Sequence, residues 1–198
     1  MDRDAIRRAW DDIAETYAWR RDPTGSDADL LDDLTADLPP DPTVLDAGCG
    51  DGARTLANLS GERIGLDISR RGLELAGDTV PDAHLVQADM GALPLADGSV
   101  DAVTAYHAVF HVPRDGQPEV YREFHRVLRP GGTLLMTLPS GRFETVREGW
   151  MGGRMVFSSP GRDRTLDHLR AAGFEGLRTE TVTDPLGSRS AFVFARRG

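Results

Sequence analysis

Three glycines at alternate positions, Gly48, Gly50 and Gly52, follow a short apolar run and are the part of this chain best suited to binding a ligand. Glycine lets the backbone take positive φ and approach a ligand closely. We expect a helix to begin near Ala53, so that its unpaired N–H groups face the same ligand. Asp67 closes the next apolar run, near the spacing of about 20 residues at which an acid accompanies nucleotide-binding loops. The pattern predicts a site for a nucleotide-like ligand.

The loop departs from the dinucleotide fingerprint, which requires the spacing Gly-x-Gly-x-x-Gly. The apolar run before it also ends in Asp46, directly ahead of the glycines. A carboxylate there would repel a pyrophosphate, but it would suit a ligand that carries an ammonium group and a sulfonium. A nicotinamide-dependent oxidoreductase is therefore the weaker interpretation of this loop.

Two histidines, His107 and His111, follow the apolar run 100–105 and Tyr106. Ligands of an open parallel sheet bind beyond the carboxyl ends of its strands, so histidines at a strand end are placed to meet a substrate. Histidine is the natural base near neutral pH, and we favour His111 over His107 for that role. Their four-residue spacing could also serve a metal, but no Glu or Cys joins them at ligand spacing, and we predict no metal site.

Apolar runs alternate with helical patterns along most of the chain. We predict strands over 43–46, 63–66, 84–86, 100–105, 132–138, 177–183 and 191–195, and helices near 53–59, 70–77, 117–128 and 163–172. This alternation predicts an α/β fold with a doubly wound, mostly parallel sheet of seven strands. The short link 184–188 permits a hairpin between the last two strands and excludes a crossover helix, so we expect an antiparallel C-terminal strand.

The first 40 residues are predicted to be helical, with a break at Pro23–Ser26 and a cap for the second helix at Ser26 or Asp27. Apolar residues recur there at helical spacing. They are Ile6, Trp10, Ile13, Ala14 and Tyr17 in the first helix and Leu30, Leu31, Leu34 and Leu38 in the second.

The segment 148–158 mixes aromatic residues and Met with Gly on no regular period. Apolar residues in a loop need something to bury them. This segment is therefore either a lid over a substrate or a loop packed against the N-terminal helices. Arg154 within it could bind an acidic group of the substrate.

The composition is strongly acidic, with a formal net charge of −9 and no lysine. A nucleic-acid partner is disfavoured because it would require a basic surface. Surface acid of this kind is also typical of proteins from salt-adapted organisms, so the charge says little about the substrate. The single cysteine, Cys49, excludes an internal disulfide and is interpreted as a small residue of the glycine loop. No apolar stretch of about 18 residues is present, and the charged start of the chain lacks a signal core, so we expect a cytoplasmic protein without a membrane partner.

The run Val-Leu-Asp-Ala-Gly-Cys-Gly-Asp-Gly at 44–52 resembles the first motif of class I S-adenosylmethionine-dependent methyltransferases. The segment 88–95 is similar to the family's second motif, and the turn Leu-Arg-Pro-Gly-Gly at 128–132 is also found in the family. The resemblance implies the methyltransferase variant of the doubly wound fold and S-adenosylmethionine as the cofactor. It covers most of the chain.

The resemblance also implies roles for individual residues. Asp67 would bind the ribose, Ile68 would pack on the adenine, Asp89 would accept from the adenine amino group, and Met90 would stack on the ring. Asp46 and the glycine loop (Gly48, Cys49, Gly50) would hold the methionine end, with Arg20 or Arg21 paired to its carboxylate. Tyr17 would close over the cofactor, and Tyr106, at a strand end, would line its site.

We therefore expect one methyltransferase domain over residues 1–198, with a helical lid segment at 1–40, a cofactor-binding core at 43–138, and an acceptor-side loop and C-terminal hairpin at 139–198. The run Phe110–Pro113 is typical of family members that act on small molecules, so a small-molecule acceptor is expected, in a monomer or homodimer. Two alternatives stay open: a non-catalytic cofactor-binding subunit that activates a partner, and a methyltransferase that acts on protein side chains.

Overall fold

The computed structural model describes residues 2–21, 28–183 and 189–198. The strands are β1 (Thr43–Ala47), β2 (Glu62–Asp67), β3 (His84–Gln87), β4 (Val100–Ala105), β5 (Leu128–Thr137), β6 (Arg142–Trp150), β7 (Gly153–Pro160), β8 (Phe174–Thr183) and β9 (Arg189–Arg197). The helices are α1 (Arg3–Arg20), α2 (Asp29–Ala36), α3 (Arg70–Thr79), α4 (Gln117–Val127) and α5 (Arg162–Ala171). Short 3-10 turns lie at Leu56–Asn58 and Val109–His111.

Seven strands form one sheet in the order β3-β2-β1-β4-β5-β9-β8. The pairs from β3 to β5 are parallel, and β9 is antiparallel to both β5 and β8. The predicted doubly wound, mostly parallel sheet with an antiparallel C-terminal strand and a helical N-terminal segment is thus confirmed. The link 184–188 and the predicted helix break and cap at 23–27 lie outside the described residues.

Alternate residues of the central strands are buried on opposite faces of the sheet. Leu45 packs with α4 and α5 on one face, whereas Val44 packs with the leucines of α2 on the other. Because both faces are covered by helices, the central strands are apolar throughout instead of alternating with polar residues. Each fully buried leucine of this core contributes about 1.5–3 kcal/mol relative to an exposed one.

The predicted helix over 53–59 is wrong. The chain turns through Gly50 and Gly52 at positive φ and forms only the 3-10 turn Leu56–Asn58 before β2 begins. The side-chain amide of Asn58 donates to the carbonyl oxygens of Ala53 and Arg54, at 3.4 and 2.9 Å, and so caps carbonyls that a continued helix would have used. The helix N-terminus expected behind the glycine loop is therefore not formed.

The segment 148–158 is not an irregular loop, because it forms most of the hairpin of β6 and β7. Met151 and Gly152 take positive φ at its turn. Met155 of β7 packs against Ala9 and Ile13 of α1, so the apolar residues are buried against the N-terminal helix, which was one of the two predicted arrangements. None of the described helices is long and apolar enough to cross a membrane.

Candidate functional site

A cleft of about 910 Å³, partly open to solvent, lies where β1, β2, β3 and β4 end, and α1 covers it. The parallel register brings the carboxyl ends of these strands to one edge of the sheet, which is where open α/β sheets bind ligands. Many of the predicted site residues line this cleft. They are Tyr17, Gly48, Gly50, Asp67, Ile68, Asp89, Met90, Tyr106, His107 and His111.

The glycine loop brings bare backbone to the cleft. Gly48 and Gly50 both take positive φ, and a Cβ atom on Gly48 would lie 2.5 Å from the Cβ of Ala108. A Cβ atom on Gly50 would meet nothing within 4 Å. Gly48 therefore allows the loop to pack against the end of β4, whereas Gly50 leaves open space beside the loop.

Asp67, at the end of β2, holds the glycine loop in place. Its Oδ2 accepts from the Gly50 amide and its Oδ1 accepts from the Ser69 amide, both at 2.8 Å. Burial raises the pKa of this carboxyl, while the two backbone hydrogen bonds act in the opposite direction. Each oxygen retains a further lone pair, so the carboxylate can accept two more hydrogen bonds from a ligand.

Asp89, after β3, is held in place by two contacts. Its Oδ1 accepts from the Gly91 amide at 2.7 Å, and its Oδ2 lies 3.1 Å from Nε of Arg3. Arg3 comes from α1 and also lines the cleft, as do Ile68 and Met90. Carboxylate oxygens and apolar side chains thus alternate along the wall that β2 and β3 provide.

Asp46 and Cys49 do not line the cleft, in contrast to the sequence-based expectation of direct cofactor contact. Asp46 is only 1% exposed, and it accepts hydrogen bonds from the hydroxyls of Thr55 and Thr104, the latter at 2.7 Å. Burial raises its pKa to about 6. Cys49 lies with its sulfur near Gly65 of β2, and burial raises the pKa of its thiol. Both side chains support the loop from behind.

Of Arg20 and Arg21, the two candidates for the cofactor carboxylate, only Arg21 lines the cleft. Its guanidinium lies 5.2 Å from the ring centre of Tyr17, and its charge lowers the pKa of Asp46. Its Nη2 atom is buried and has no hydrogen-bond partner within the described residues. Arg20 instead approaches the sulfur of Met151 at 4.0 Å on the surface of the hairpin.

His111 lies in the 3-10 turn after β4 and is 6% exposed. Its Nδ1 is 2.8 Å from the carbonyl oxygen of Val156 on β7. A carbonyl can only accept, so Nδ1 carries the hydrogen, and the neutral ring has a lone pair at Nε2. Burial lowers the pKa of the ring to about 4, so it is neutral near pH 7. The rings of Trp10, Phe110 and Phe157 surround it at centroid distances of 4.6 to 4.8 Å.

Tyr106 and His107 directly follow β4, where the chain turns away from the strand. His107 takes positive φ (52°), and its amide donates to Oγ1 of Thr137 at 2.8 Å. Tyr106 is buried and packs on Phe192, at a centroid distance of 4.7 Å. Both residues line the cleft.

The hairpin does not act as the predicted lid. Its described residues are not part of the cleft wall, and Arg154 pairs with Glu148 at 2.8 Å on the hairpin surface, so its predicted contact with an acidic substrate group is wrong for this arrangement. The hairpin instead supports the wall from behind. Gln117 of α4 donates to the carbonyl oxygens of Val112 and Ser158, both at 2.9 Å, which ties the hairpin to the turn that carries His111.

Sequence reasoning missed the polar side of α1. Asp11 accepts from the Ser69 hydroxyl at 2.8 Å and from the Arg71 amide at 3.2 Å, and Arg3 pairs with Asp89. These contacts attach α1 to the first turn of α3 and to the cleft. The available signal was the spacing of Arg3, Arg7 and Asp11 along the helix, which places charged side chains on neighbouring positions of one side.

Comparisons with known proteins agree with this geometry. A family model described as a methyltransferase domain matches residues 45–136. The malonyl-[acyl-carrier protein] O-methyltransferase of Enterobacter lignolyticus is 32% identical over 192 residues, which cover 94% of this chain and 73% of that protein. The methyltransferase GfsG of Streptomyces halstedii is 36% identical over 137 residues, 64% of this chain and 48% of that protein. The chain spans about half the length of several such relatives (48%, 54% and 58%).

Solved structures show the same fold. The 1,6-didemethyltoxoflavin-N1-methyltransferase of Burkholderia thailandensis, with bound 1,6-didemethyltoxoflavin and S-adenosylhomocysteine, superposes with a TM-score of 0.74 at 19% identity, covering 100% of this chain and 91% of that one. The parallel sheet, the glycine loop at the end of β1 and the two curated relatives all lead to one assignment. The chain belongs to the class I S-adenosylmethionine-dependent methyltransferase family, as its motifs predicted.

Proposed function

We propose that this protein binds S-adenosylmethionine in the cleft and transfers its methyl group to a small molecule. The observation that carries the proposal is the meeting of the glycine loop, Asp67 and Asp89 at one sheet edge, below a covering helix. The ribose hydroxyls, the adenine and the carboxylate of the cofactor each have a matching group there. When bound, the cofactor supplies a methyl group activated by the positive sulfur, so the protein mainly has to position the acceptor.

The residues of the cleft fit this cofactor. The open space beside Gly50 can take a ligand against bare backbone, and the two carboxylate oxygens of Asp67 can accept a pair of hydroxyls. Asp89 offers an acceptor for an amino group, next to the apolar side chains of Ile68 and Met90. The unpartnered Nη2 of Arg21 matches a carboxylate, so we assign the methionine carboxylate to Arg21 instead of Arg20.

Asp46 has a supporting role in this proposal. Its hydrogen bonds to Thr55 and Thr104 hold the start of the glycine loop, and its charge lies within reach of Arg21. The ammonium group of a bound cofactor would lie on the other side of the glycine loop from Asp46. It would be attracted by the charge of this carboxylate without touching its oxygens.

The covering helix favours a small acceptor over a protein side chain. Trp10, Ala14 and Tyr17 of α1 line the cleft, so an acceptor must fit beneath a helix that contacts both halves of the site. Relatives act on acceptors that range from 27-O-demethylrifamycin SV to malonyl-[acyl-carrier protein], as their names state. In this chain we propose that Tyr17 closes the cofactor side and that His111 accepts a hydrogen bond from the acceptor at Nε2.

Calorimetric titration of the purified protein tests the proposal, with S-adenosylmethionine, S-adenosylhomocysteine and NAD as ligands in high and low salt. We expect both adenosyl ligands to bind with micromolar affinity and NAD not to bind. An absence of adenosyl binding in both salts would overturn the cofactor assignment. Binding without methyl transfer to any member of a small-molecule acceptor panel would instead favour the non-catalytic subunit, and transfer only to protein would favour the side-chain methyltransferase.

A further inference from the structure

The hairpin of β6 and β7 forms a sheet of only two strands among the described residues, so β7 has an edge that no described strand covers. Val156 and Ser158 of β7 are both buried. In an antiparallel strand, residues two apart direct their carbonyl oxygens to the same side. Because buried carbonyls need hydrogen-bond partners, the carbonyls at this edge have to be bound by groups outside the hairpin.

Side chains from two neighbouring elements bind consecutive carbonyls of this edge. Nδ1 of His111 donates to the carbonyl oxygen of Val156 at 2.8 Å, and Nε2 of Gln117 donates to that of Ser158 at 2.9 Å. The same Gln117 nitrogen also donates to the carbonyl oxygen of Val112 at 2.9 Å, directly after the 3-10 turn that carries His111. Gln117 thus connects the end of this turn to β7, two residues along from the carbonyl that His111 binds.

The chemistry of this connection suits an amide. Two carbonyls need two donated hydrogens, and the NH₂ group of a glutamine side chain supplies both from one nitrogen. Its Oε1 accepts from the hydroxyl of Tyr121 at 3.4 Å, so both ends of the amide have partners. Gln117 is only 2% exposed, so loss of the amide would leave two carbonyls without a replacement donor in a buried place.

Two further contacts join the same segments. The Arg114 amide donates to Oγ of Ser158 at 3.0 Å, and the Arg114 guanidinium pairs with Glu144 at 2.6 Å. This ion pair is partly exposed and therefore contributes little. Gln117 differs because it is buried and binds backbone on both sides, which fixes the distance over which the ring of His111 has to reach Val156.

We propose that Gln117 is a positioning residue that holds the carbonyl oxygen of Val156 against Nδ1 of His111 and so keeps the lone pair of the ring at Nε2. The hydrogen bond of one ring nitrogen determines which nitrogen carries the hydrogen. Without Gln117, the edge of β7 can move away from the turn, and the ring can carry its hydrogen on either nitrogen. The inference rests on the proposed function only for the contact between Nε2 and the methyl acceptor.

Gln117→Met keeps the length of the side chain and removes both donated hydrogens. The ring nitrogens of His111 are observed by ¹⁵N NMR near neutral pH without ligand, and their signals are assigned by comparison with His111→Phe. We expect the hydrogen on Nδ1 in the wild type, and a second tautomer or averaged shifts in Gln117→Met. Tyr121→Phe is the matched control, because it removes a hydrogen bond to Oε1 of Gln117 and leaves the NH₂ group in place. It should retain the wild-type signals.

Turnover separates positioning from a general loss of stability. With a methyl acceptor from the small-molecule panel, we expect Gln117→Met to lower kcat about tenfold or more while S-adenosylhomocysteine affinity stays unchanged. Because Gln117 acts through His111, adding Gln117→Met to His111→Ala should lower kcat no further. A fall in the double variant as large as that of Gln117→Met alone would overturn the proposal.

An unchanged tautomer in folded Gln117→Met would also overturn it. So would a wild-type ring with its hydrogen on Nε2, or rapid solvent exchange of the Gln117 side-chain hydrogens in the wild type, and neither of these results depends on how a variant folds. Failure of S-adenosylhomocysteine to bind would refute the proposed function instead. The NMR comparison would still decide the role of Gln117, because it needs no ligand.

Discussion

Asp67→Ala tests the cofactor site most directly. Each oxygen of Asp67 already accepts one backbone amide at 2.8 Å, which leaves one lone pair on each for a pair of ribose hydroxyls. Hydrogen bonds to a charged group contribute about 1.5–3 kcal/mol each, so loss of two removes at least about 3 kcal/mol. Because 1.4 kcal/mol corresponds to a tenfold change, we expect S-adenosylmethionine affinity to fall about 100-fold or more.

The same substitution also frees the Gly50 and Ser69 amides, so loop disorder has to be separated from loss of ligand contacts. Asp67→Asn keeps the size of the side chain and one acceptor oxygen, and its affinity should lie between those of the wild type and Asp67→Ala. Asp82→Ala provides the matched control, because Asp82 is an exposed acid that pairs with Arg63 away from the cleft. It should bind the cofactor as the wild type does.

Calorimetry at one salt concentration gives the three affinities, and thermal unfolding without ligand gives the stability of each variant. A ribose-binding role of Asp67 is refuted if Asp67→Ala remains folded and its affinity stays within a factor of two of the wild type. In that case Asp67 would be a support for the glycine loop alone, and the ribose would have to be held elsewhere.

Three further substitutions test other parts of the site. His111→Ala should leave cofactor affinity unchanged and reduce turnover, and equal turnover would make His111 a packing residue only. Arg21→Gln should weaken binding of S-adenosylhomocysteine about tenfold or more through loss of a charge-assisted bond to its carboxylate, whereas Arg20→Gln should not, as calorimetry can measure. Asp46→Asn removes a carboxyl whose pKa rises from 3.8 to about 6 on folding. The folded wild type therefore binds the extra proton between these values, so its stability should fall relative to the variant by about 2 kcal/mol as the pH rises from 4 to 6, and parallel urea-unfolding curves across that range would contradict this.

The meeting of the residues that we propose bind the cofactor could be predicted because its signals are local. Gly48 and Gly50 follow β1 directly, and Asp67 and Asp89 lie at or just after the ends of the next two strands. Once the strands are parallel and adjacent, their carboxyl ends meet without further information. Strand pattern and chain order were therefore enough to bring these residues together.

Asp46 shows that neighbouring residues in the sequence are not enough to predict the contacts of a side chain. Its position before the glycines predicted direct contact with a ligand, but hydroxyls from Thr55 and from the distant Thr104 occupy its oxygens. The pairing of β1 with β4 brings Thr104 to this carboxylate, and no sequence pattern around residue 46 predicts that contact. The helix expected at 53–59 is replaced through a local contact instead, because Asn58 caps the carbonyls of Ala53 and Arg54.

The acceptor side depends almost entirely on contacts between distant parts of the chain. Val156 is 45 residues from His111, and its carbonyl oxygen determines which ring nitrogen carries the hydrogen. Gln117 holds the same hairpin through two carbonyls. The sequence predicted His111 as a base. Only the contact with the hairpin shows that Nδ1 carries the hydrogen and that Nε2 is the nitrogen that can accept one.

Helix α1 connects the two sides physically. Asp11 binds the first turn of α3 beside the cofactor residues, while Ile13, two positions further along, fits against Gly153 so closely that a Cβ atom there would lie 2.5 Å from its side chain. Trp10 and Tyr17 of the same helix line the cleft between these anchors. One helix thus forms a wall shared by the proposed cofactor and acceptor sites. The shape available to the acceptor is consequently determined by the same contacts that hold α1 over the cofactor residues, which is why an N-terminal segment outside the parallel sheet belongs to the site.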